Sequence, residues 1–426
     1  MPTTTDFQPT PSYRRYVLFI LTGVYTFNFI DRQILVILAE PIKADLDLSD
    51  TQMGLLTGLA FAFFYVLLGI PIARYADKAN RKNIIAVSLT LWSGMTALSG
   101  LSQNYLHLLL ARIGVGIGEA GGSPPAHAII SDYYPPKKRA TAISIYTLGV
   151  YIGIFLGFLI GGLIGEAYGW RIALFSLGIP GILYALVVYF TVKEPIRGLN
   201  DKVQDMQERS FWEVVRILFS KKTFVFTAFA ASMQIFSNYG IGNFLPSFLS
   251  RIHEVSLANI SIILSIAVGV GGGLGTFLGG YIPDKLQHKD IRWYLWLPII
   301  GAGFNLISFS FFCFSDNLNT VIAGIFLGNI AITLYAAPSI AIAHNLVSAK
   351  MRALTSAVLI LIMNIIGLGF GPLTVGLLSD YLEPTYGIES LRYAFTIIYI
   401  TGPITMFLYY MASRSYPKEV NLIDNG

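Results

Sequence analysis

Residues 111–134 read ARIGVGIGEAGGSPPAHAIISDYY, from Ala111 to Tyr134. The run is long and apolar enough to cross a bilayer as a helix, which takes about 20 residues. It nevertheless holds a guanidinium, Arg112, and a carboxylate, Glu119. A charge at membrane depth costs roughly 2.5–3.5 kcal/mol on insertion scales, so such residues face protein or a water-filled path. Their spacing is about two helical turns, or about 10.5 Å of rise, which puts both on one helix face. Gly114, Gly116, Gly118, Gly121 and Gly122 let neighbouring helices come close. The stretch reads as a tightly packed membrane helix with a polar stripe.

The rest of the chain agrees. Its 426 residues are 54% hydrophobic and only 12% charged, against about 25% charged in a soluble domain. Mean hydropathy is +0.62. The net charge of +5 lies in loops between apolar runs, which reads as membrane orientation and not as nucleic-acid binding. A single cysteine, Cys313, excludes an intramolecular disulfide. The polar segment Met1–Ser12 lacks the form of a cleavable signal peptide, so the first span is expected to be retained. Metal-ligand spacings, phosphate loops and nucleophile triads are missing from the sequence, so no cofactor, no metal and no enzyme activity are expected.

Apolar runs of spanning length lie at about 16–39, 53–76, 83–101, 105–132, 140–166, 170–192, 223–250, 257–283, 293–314, 318–347, 352–382 and 391–412. These are twelve predicted transmembrane helices. With the N-terminus inside, 23 of the 29 Lys and Arg residues fall on the cytoplasmic side and 4 on the other. Both termini are therefore expected in the cytoplasm of a multi-pass inner-membrane protein. The expected organisation is a tail over 1–15, a six-helix bundle over 16–192, a linker over 193–222, a second bundle over 223–412 and a tail over 413–426. Within the linker, Ser210 and Glu213 have capping-box spacing ahead of Phe211, Trp212, Val215 and Leu218. That pattern predicts an amphipathic helix on the inner surface.

The two halves repeat. Ala73-x-x-x-Asp77-Lys78 follows the second span, and Gly280-x-x-x-Asp284-Lys285 follows the eighth. Lys138-Arg139-Ala140 opens the fifth span, and Met351-Arg352-Ala353 opens the eleventh. Parallel six-span repeats with a site between them near midplane are the plan of one large transporter class.

The loop Ala73-x-x-x-Asp77-Lys78-Ala79-Asn80-Arg81-Lys82 resembles the signature of the major facilitator superfamily, with Ala73 and Asn80 in place of two usual glycines. Arg112-x-x-x-Gly116-x-Gly118 resembles that superfamily's fourth-helix motif. Gly149, Gly153, Gly157, Gly161 and Gly162 resemble its antiporter motif without the usual proline. The resemblance implies an all-α membrane protein of two pseudo-symmetric six-helix halves, the major facilitator fold. A narrower resemblance covers about residues 25–145. Asn28-Phe29-Ile30-Asp31-Arg32, Glu40-Pro41-Ile42-Lys43, Leu48-Ser49-Asp50 and Gly118-Glu119-Ala120-Gly121 through Ser131-Asp132 look like bacterial relatives of the spinster proteins. That family is associated with export of sphingosine phosphate and lysolipids.

Four ionisable groups lie deep in predicted spans: Asp31, Arg32, Arg112 and Glu119. Asp31 and Arg112 share a depth, and the four charges cancel. The expectation is proton coupling through Asp31, Glu119 and Arg112, with the arginine held alternately by either acid. A static ion pair is the plainer alternative. Arg32 and Arg112 are expected to bind an anionic head group, since a guanidinium grips two oxygens at once. In the second half, the repeat puts Asn238 and Tyr239 opposite Asp31 and Arg32, and Ile325 and Ile332 opposite Arg112 and Glu119. One cavity wall is thus expected to be charged and the other mostly apolar and aromatic. Asn238, Tyr239, Asn329, Thr333 and Tyr335 are the further substrate-binding candidates, with Asn243 and His344 as weaker ones. His127 is expected to hydrogen-bond a neighbouring helix. Asp77, Lys78, Arg81, Arg139 and Asp284 are expected at the inner gate. The implied function is proton-coupled alternating-access transport of a lysolipid-like amphiphilic anion by a monomer in contact with membrane lipids. A symporter of sugar acids and a non-translocating receptor are the alternatives.

Overall fold

A computed structural model describes residues 9–76, 78–197, 211–348 and 351–424. Every described regular element is helical, as lipid demands when each backbone polar group must be satisfied within its own segment. Each of the twelve predicted runs coincides with a helix or a broken pair of helices. Among the described residues, seven continuous helical stretches are long and apolar enough to cross a membrane by length and composition. One of them, Leu354–Val420, holds both the eleventh and twelfth spans. The first, third and seventh spans are long helices of more polar composition, and the fourth is broken into two shorter helices.

The residues divide into two compact units. One comprises 1–46 and 63–206, the other 47–62 and 207–426. The second span is thus cut: its helix Asp50–Thr57 is packed within the second unit, and a turn at Gly58 separates it from the helix Leu59–Ala76.

In the first unit the helix Pro11–Ile37 lies against Pro136–Tyr168. Glycines make the approach possible. A Cβ at Gly153 would stand 2.5 Å from the Thr26 carbonyl oxygen and 2.7 Å from Phe29 Cβ. The predicted fourth span is broken into Tyr105–Glu119 and Ser123–Tyr133. Gly121 and Gly122 turn the chain, their N–H groups donating to the Gly118 and Glu119 carbonyls. Glu119 therefore closes a helix at its C-terminal end, where the dipole disfavours a negative charge and a cation is needed nearby.

In the second unit two spans contain π-helical turns, Ser265–Val270 in the eighth and Asn364–Gly369 in the eleventh. The short helix Phe211–Phe219 buries Val214 and Leu218 in a core shared with Phe224, Tyr409 and Tyr416. It leaves Trp212 75% exposed. Ser210, the expected cap of this helix, lies outside the described residues.

Candidate functional site

The first unit gathers all four deep charges. Asp31, Arg112 and Glu119 are buried to 0%, 3% and 1% exposure. Arg32 donates to Glu119 Oε2 through Nε at 2.8 Å and Nη2 at 2.7 Å. Its guanidinium lies 4.9 Å from the Phe29 ring centroid and 5.1 Å from that of Tyr65, both within cation–π range. Arg112 donates from Nη1 to the backbone carbonyl of Asp31 at 3.3 Å. Ser93 donates its hydroxyl to Asp31 Oδ2 at 3.3 Å. Asp31 Oδ1 and Glu119 Oε1 are buried and, among the described residues, have no hydrogen-bond partner. The side chain of Asn28 lies beside Glu119.

The sequence reading has Arg112 held alternately by Asp31 or Glu119. In the structure Arg112 lies within electrostatic reach of both acids, and Glu119 also accepts a fork from Arg32, which the sequence did not point to. Adjacent residues of a helix point about 100° apart, so Asp31 and Arg32 meet different neighbours. Tyr65 was missed, because a tyrosine in an aromatic run carries no signal of its own.

In the second unit Asn238 and Asn329 line one cavity together with Asn305, Ile325 and Ile332. The two isoleucines placed there by the repeat are present, but the lining mixes amides with apolar groups. Asn305 was missed, although an amide within the apolar ninth span is a readable signal. Tyr335 is buried in the hydrophobic core, and Tyr239 packs against the same core. The Thr333 hydroxyl lies within hydrogen-bonding distance of the backbone carbonyls of Gly272, Asn329 and Ile330. Asn243 is buried. His344 bonds Ser356 through Nε2 at 2.6 Å. His127 packs edge-on to Tyr146, with ring centroids 5.2 Å apart.

Of the expected gate residues, Arg81 is buried and paired with two carboxylates. It reaches Asp132 at 2.7 Å and Glu194 at 2.6 Å, and Glu194 also accepts from the Lys82 N–H. Arg139 donates to the Ser131 carbonyl at 2.9 Å. Asp284 accepts from the Tyr294 hydroxyl at 2.7 Å. Lys78 is exposed, and Asp77 lies outside the described residues. Glu194 had not been singled out.

The sequence model of the major facilitator superfamily matches residues 21–312. The chain belongs to that superfamily. A solved bacterial homologue of the human lysosomal transporter spinster, in an inward-facing and unoccupied conformation, superposes with a TM-score of 0.89 at 34% identity. The match covers 96% of this chain and 99% of that one. An efflux pump of the superfamily from Mycolicibacterium smegmatis is 32% identical over 410 residues, covering 94% of this chain and 93% of its own. A hexuronate transporter from Bacillus subtilis is 29% identical over 283 residues, or 65% of each chain. This spinster-like superfamily member is an integral membrane secondary transporter. Its relatives are transporters and not enzymes.

Proposed function

We propose that this transporter moves a lysolipid- or sphingolipid-like amphiphilic anion by alternating access, coupled to protons. The observation that carries the reading is the Arg32–Glu119 pair, a cation stacked near two aromatic rings and held by a carboxylate. Arginine suits a phosphate or carboxylate head group because its fork binds two oxygens. A proton arriving at Glu119 weakens its hold on Arg32 and frees the guanidinium for the head group. Asp31, beside it in the chain, offers a second buried carboxylate oxygen. Arg112 acts in this scheme as the fixed countercharge. The protein works as a monomer in the inner membrane with both termini cytoplasmic, in keeping with the asymmetry of its basic residues.

The kinship to a hexuronate transporter supports a second reading, in which the cargo is a small sugar acid. Flux into proteoliposomes separates the two. Uptake or release of oleoyl lysophosphatidic acid, unaffected by excess glucuronate, is the expected result; the reverse pattern favours the sugar acid. Proton coupling is tested with Asp31→Asn and Glu119→Gln. Retention of the parent pH dependence in both variants removes protons from the scheme.

A further inference from the structure

One cavity of the second unit has a composition unlike the charged cluster of the first. Asn238 on the seventh span, Asn305 on the ninth and Asn329 on the tenth converge there, with Ser237, Phe312 and Ile332. Its volume is about 40 Å³, room for one or two groups the size of a water or a hydroxyl. Neither an acid nor a base lines it.

The three amides keep hydrogen-bonding capacity to spare. Asn329 donates Nδ2 to the Ile325 carbonyl of its own helix at 2.9 Å, which leaves its amide oxygen as an acceptor. No group among the described residues hydrogen-bonds the Asn238 or Asn305 side chain. The neighbouring Ser237 hydroxyl is engaged with Thr401, and the Asn305 backbone carbonyl accepts from the Tyr399 hydroxyl. These bonds fix the walls while the amides point their capacity elsewhere.

The lining selects a chemistry. A phosphate or carboxylate would find no cation here, and a charge set into this lining would be uncompensated. An alkyl group would leave amide donors and acceptors unmatched. A hydroxyl both donates and accepts, as an amide pair requires. We propose that this cavity is a hydroxyl-recognition subsite, taking an alcohol group of the substrate and not its charge. The inference deepens the proposed function and rests on it for the anion carried elsewhere on the molecule. The hydroxyl could belong to the glycerol of a lysolipid or to the polyol chain of a sugar acid.

The test uses the full-length protein in nanodiscs and three matched probe pairs. These are oleoyl lysophosphatidic acid and its analogue lacking the glycerol hydroxyl, D-glucarate and adipate, and monooleoylglycerol and its analogue lacking one hydroxyl. In at least one pair the parent should bind the hydroxylated member about tenfold tighter or more, the loss expected when a site's polar groups go unmatched. Asn305→Ala and Asn238→Ala should bring that ratio close to one while affinity for the deoxy member holds within about twofold. Asn305→Ser, a smaller polar change, serves if the alanine variant fails to purify as a monodisperse species. The responding pair identifies the source of the hydroxyl. A parent without hydroxyl preference in every pair, or variants that keep the parent ratio, overturns the subsite. Failure of the anion reading looks different: Arg32→Gln leaves binding of the charged probes unchanged, while the neutral pair still reports on the asparagines.

Discussion

The Asp50 carboxylate is forked by Arg251, with Nη1 to Oδ2 and Nη2 to Oδ1 both at 2.7 Å. Ser379 donates a third hydrogen bond to Oδ2 at 2.7 Å. Asp380 in turn accepts from the backbone N–H groups of Asp50 and Thr51, at 3.0 and 2.8 Å. A carboxylate from elsewhere in the fold thus supplements the Ser49–Gln52 capping box of the helix Asp50–Thr57. Close backbone approach completes the joint, since a Cβ at Gly54 would collide with the Pro372 carbonyl oxygen.

Breaking this joint should be costly. Asp50 is 2% exposed, so Asp50→Ala removes the partner of a largely desolvated arginine. Loss of one member of a buried pair costs roughly 3–5 kcal/mol, and the low end applies because the Arg251 side chain keeps 17% exposure. Asp380→Ala removes only the extra cap, worth about 1 kcal/mol. Thermal unfolding in detergent should rank Asp50→Ala well below Asp380→Ala, and Asp380→Ala below the parent. Equal melting of all three would mean that the joint contributes nothing to stability.

Arg32→Lys should be a severe change despite keeping the charge. An ammonium cannot chelate Glu119 through two nitrogens, nor lie flat against Phe29 and Tyr65. Affinity for an anionic probe such as oleoyl lysophosphatidic acid should fall about tenfold or more, the equivalent of one charge-assisted bond. Tyr65→Leu should give a smaller loss, since a cation–π contact is worth about 0.5–2 kcal/mol. Unchanged affinity in Arg32→Lys would move the head-group site away from this pair.

The limits of reading the chain by itself follow from these contacts. The depth and sign of the buried charges were legible, because an apolar run that crosses lipid tolerates a lone Arg or Glu only where protein or water receives it. Their pairing was not, because it depends on how each helix is rotated about its axis. The break after Glu119 was likewise hidden, although Gly121, Gly122, Pro124 and Pro125 mark it in retrospect. The partners of Asp50 come from 201 and about 330 residues away, beyond any periodic pattern. Asp50 was read only as part of a family resemblance, and Arg251 was not singled out.

Gly153→Leu should uncouple packing from insertion. The branched side chain would collide with the Thr26 carbonyl and Phe29, one turn before Arg32. The first and fifth spans would have to part, shifting Arg32 from Glu119. The variant should still reach the membrane, since it is no less apolar, but transport should be lost. Normal flux through Gly153→Leu would show that this helix contact is not needed to align the charged cluster.

A pH effect should arise beyond the predicted seventh span, at His253. This residue ends the helix Lys222–His253, and its buried Nε2 has no hydrogen-bond partner among the described residues. Burial foremost, then the nearby Arg392, holds its pKa below the ordinary 6.5, while Asp316 and Glu389 pull weakly the other way. The sign follows from which state takes the proton first. At neutral pH the imidazole is uncharged in both folded and unfolded chains, and its contribution to stability is complete. As pH falls below about 6.5, the unfolded chain binds a proton that the folded one resists, so stability declines. His253→Phe keeps a ring against Phe248, whose centroid lies 5.4 Å away, and removes the titration. Melting temperatures measured from pH 7.5 down to pH 5 should therefore fall less steeply in His253→Phe than in the parent. Parallel curves would place the acid sensitivity on other groups.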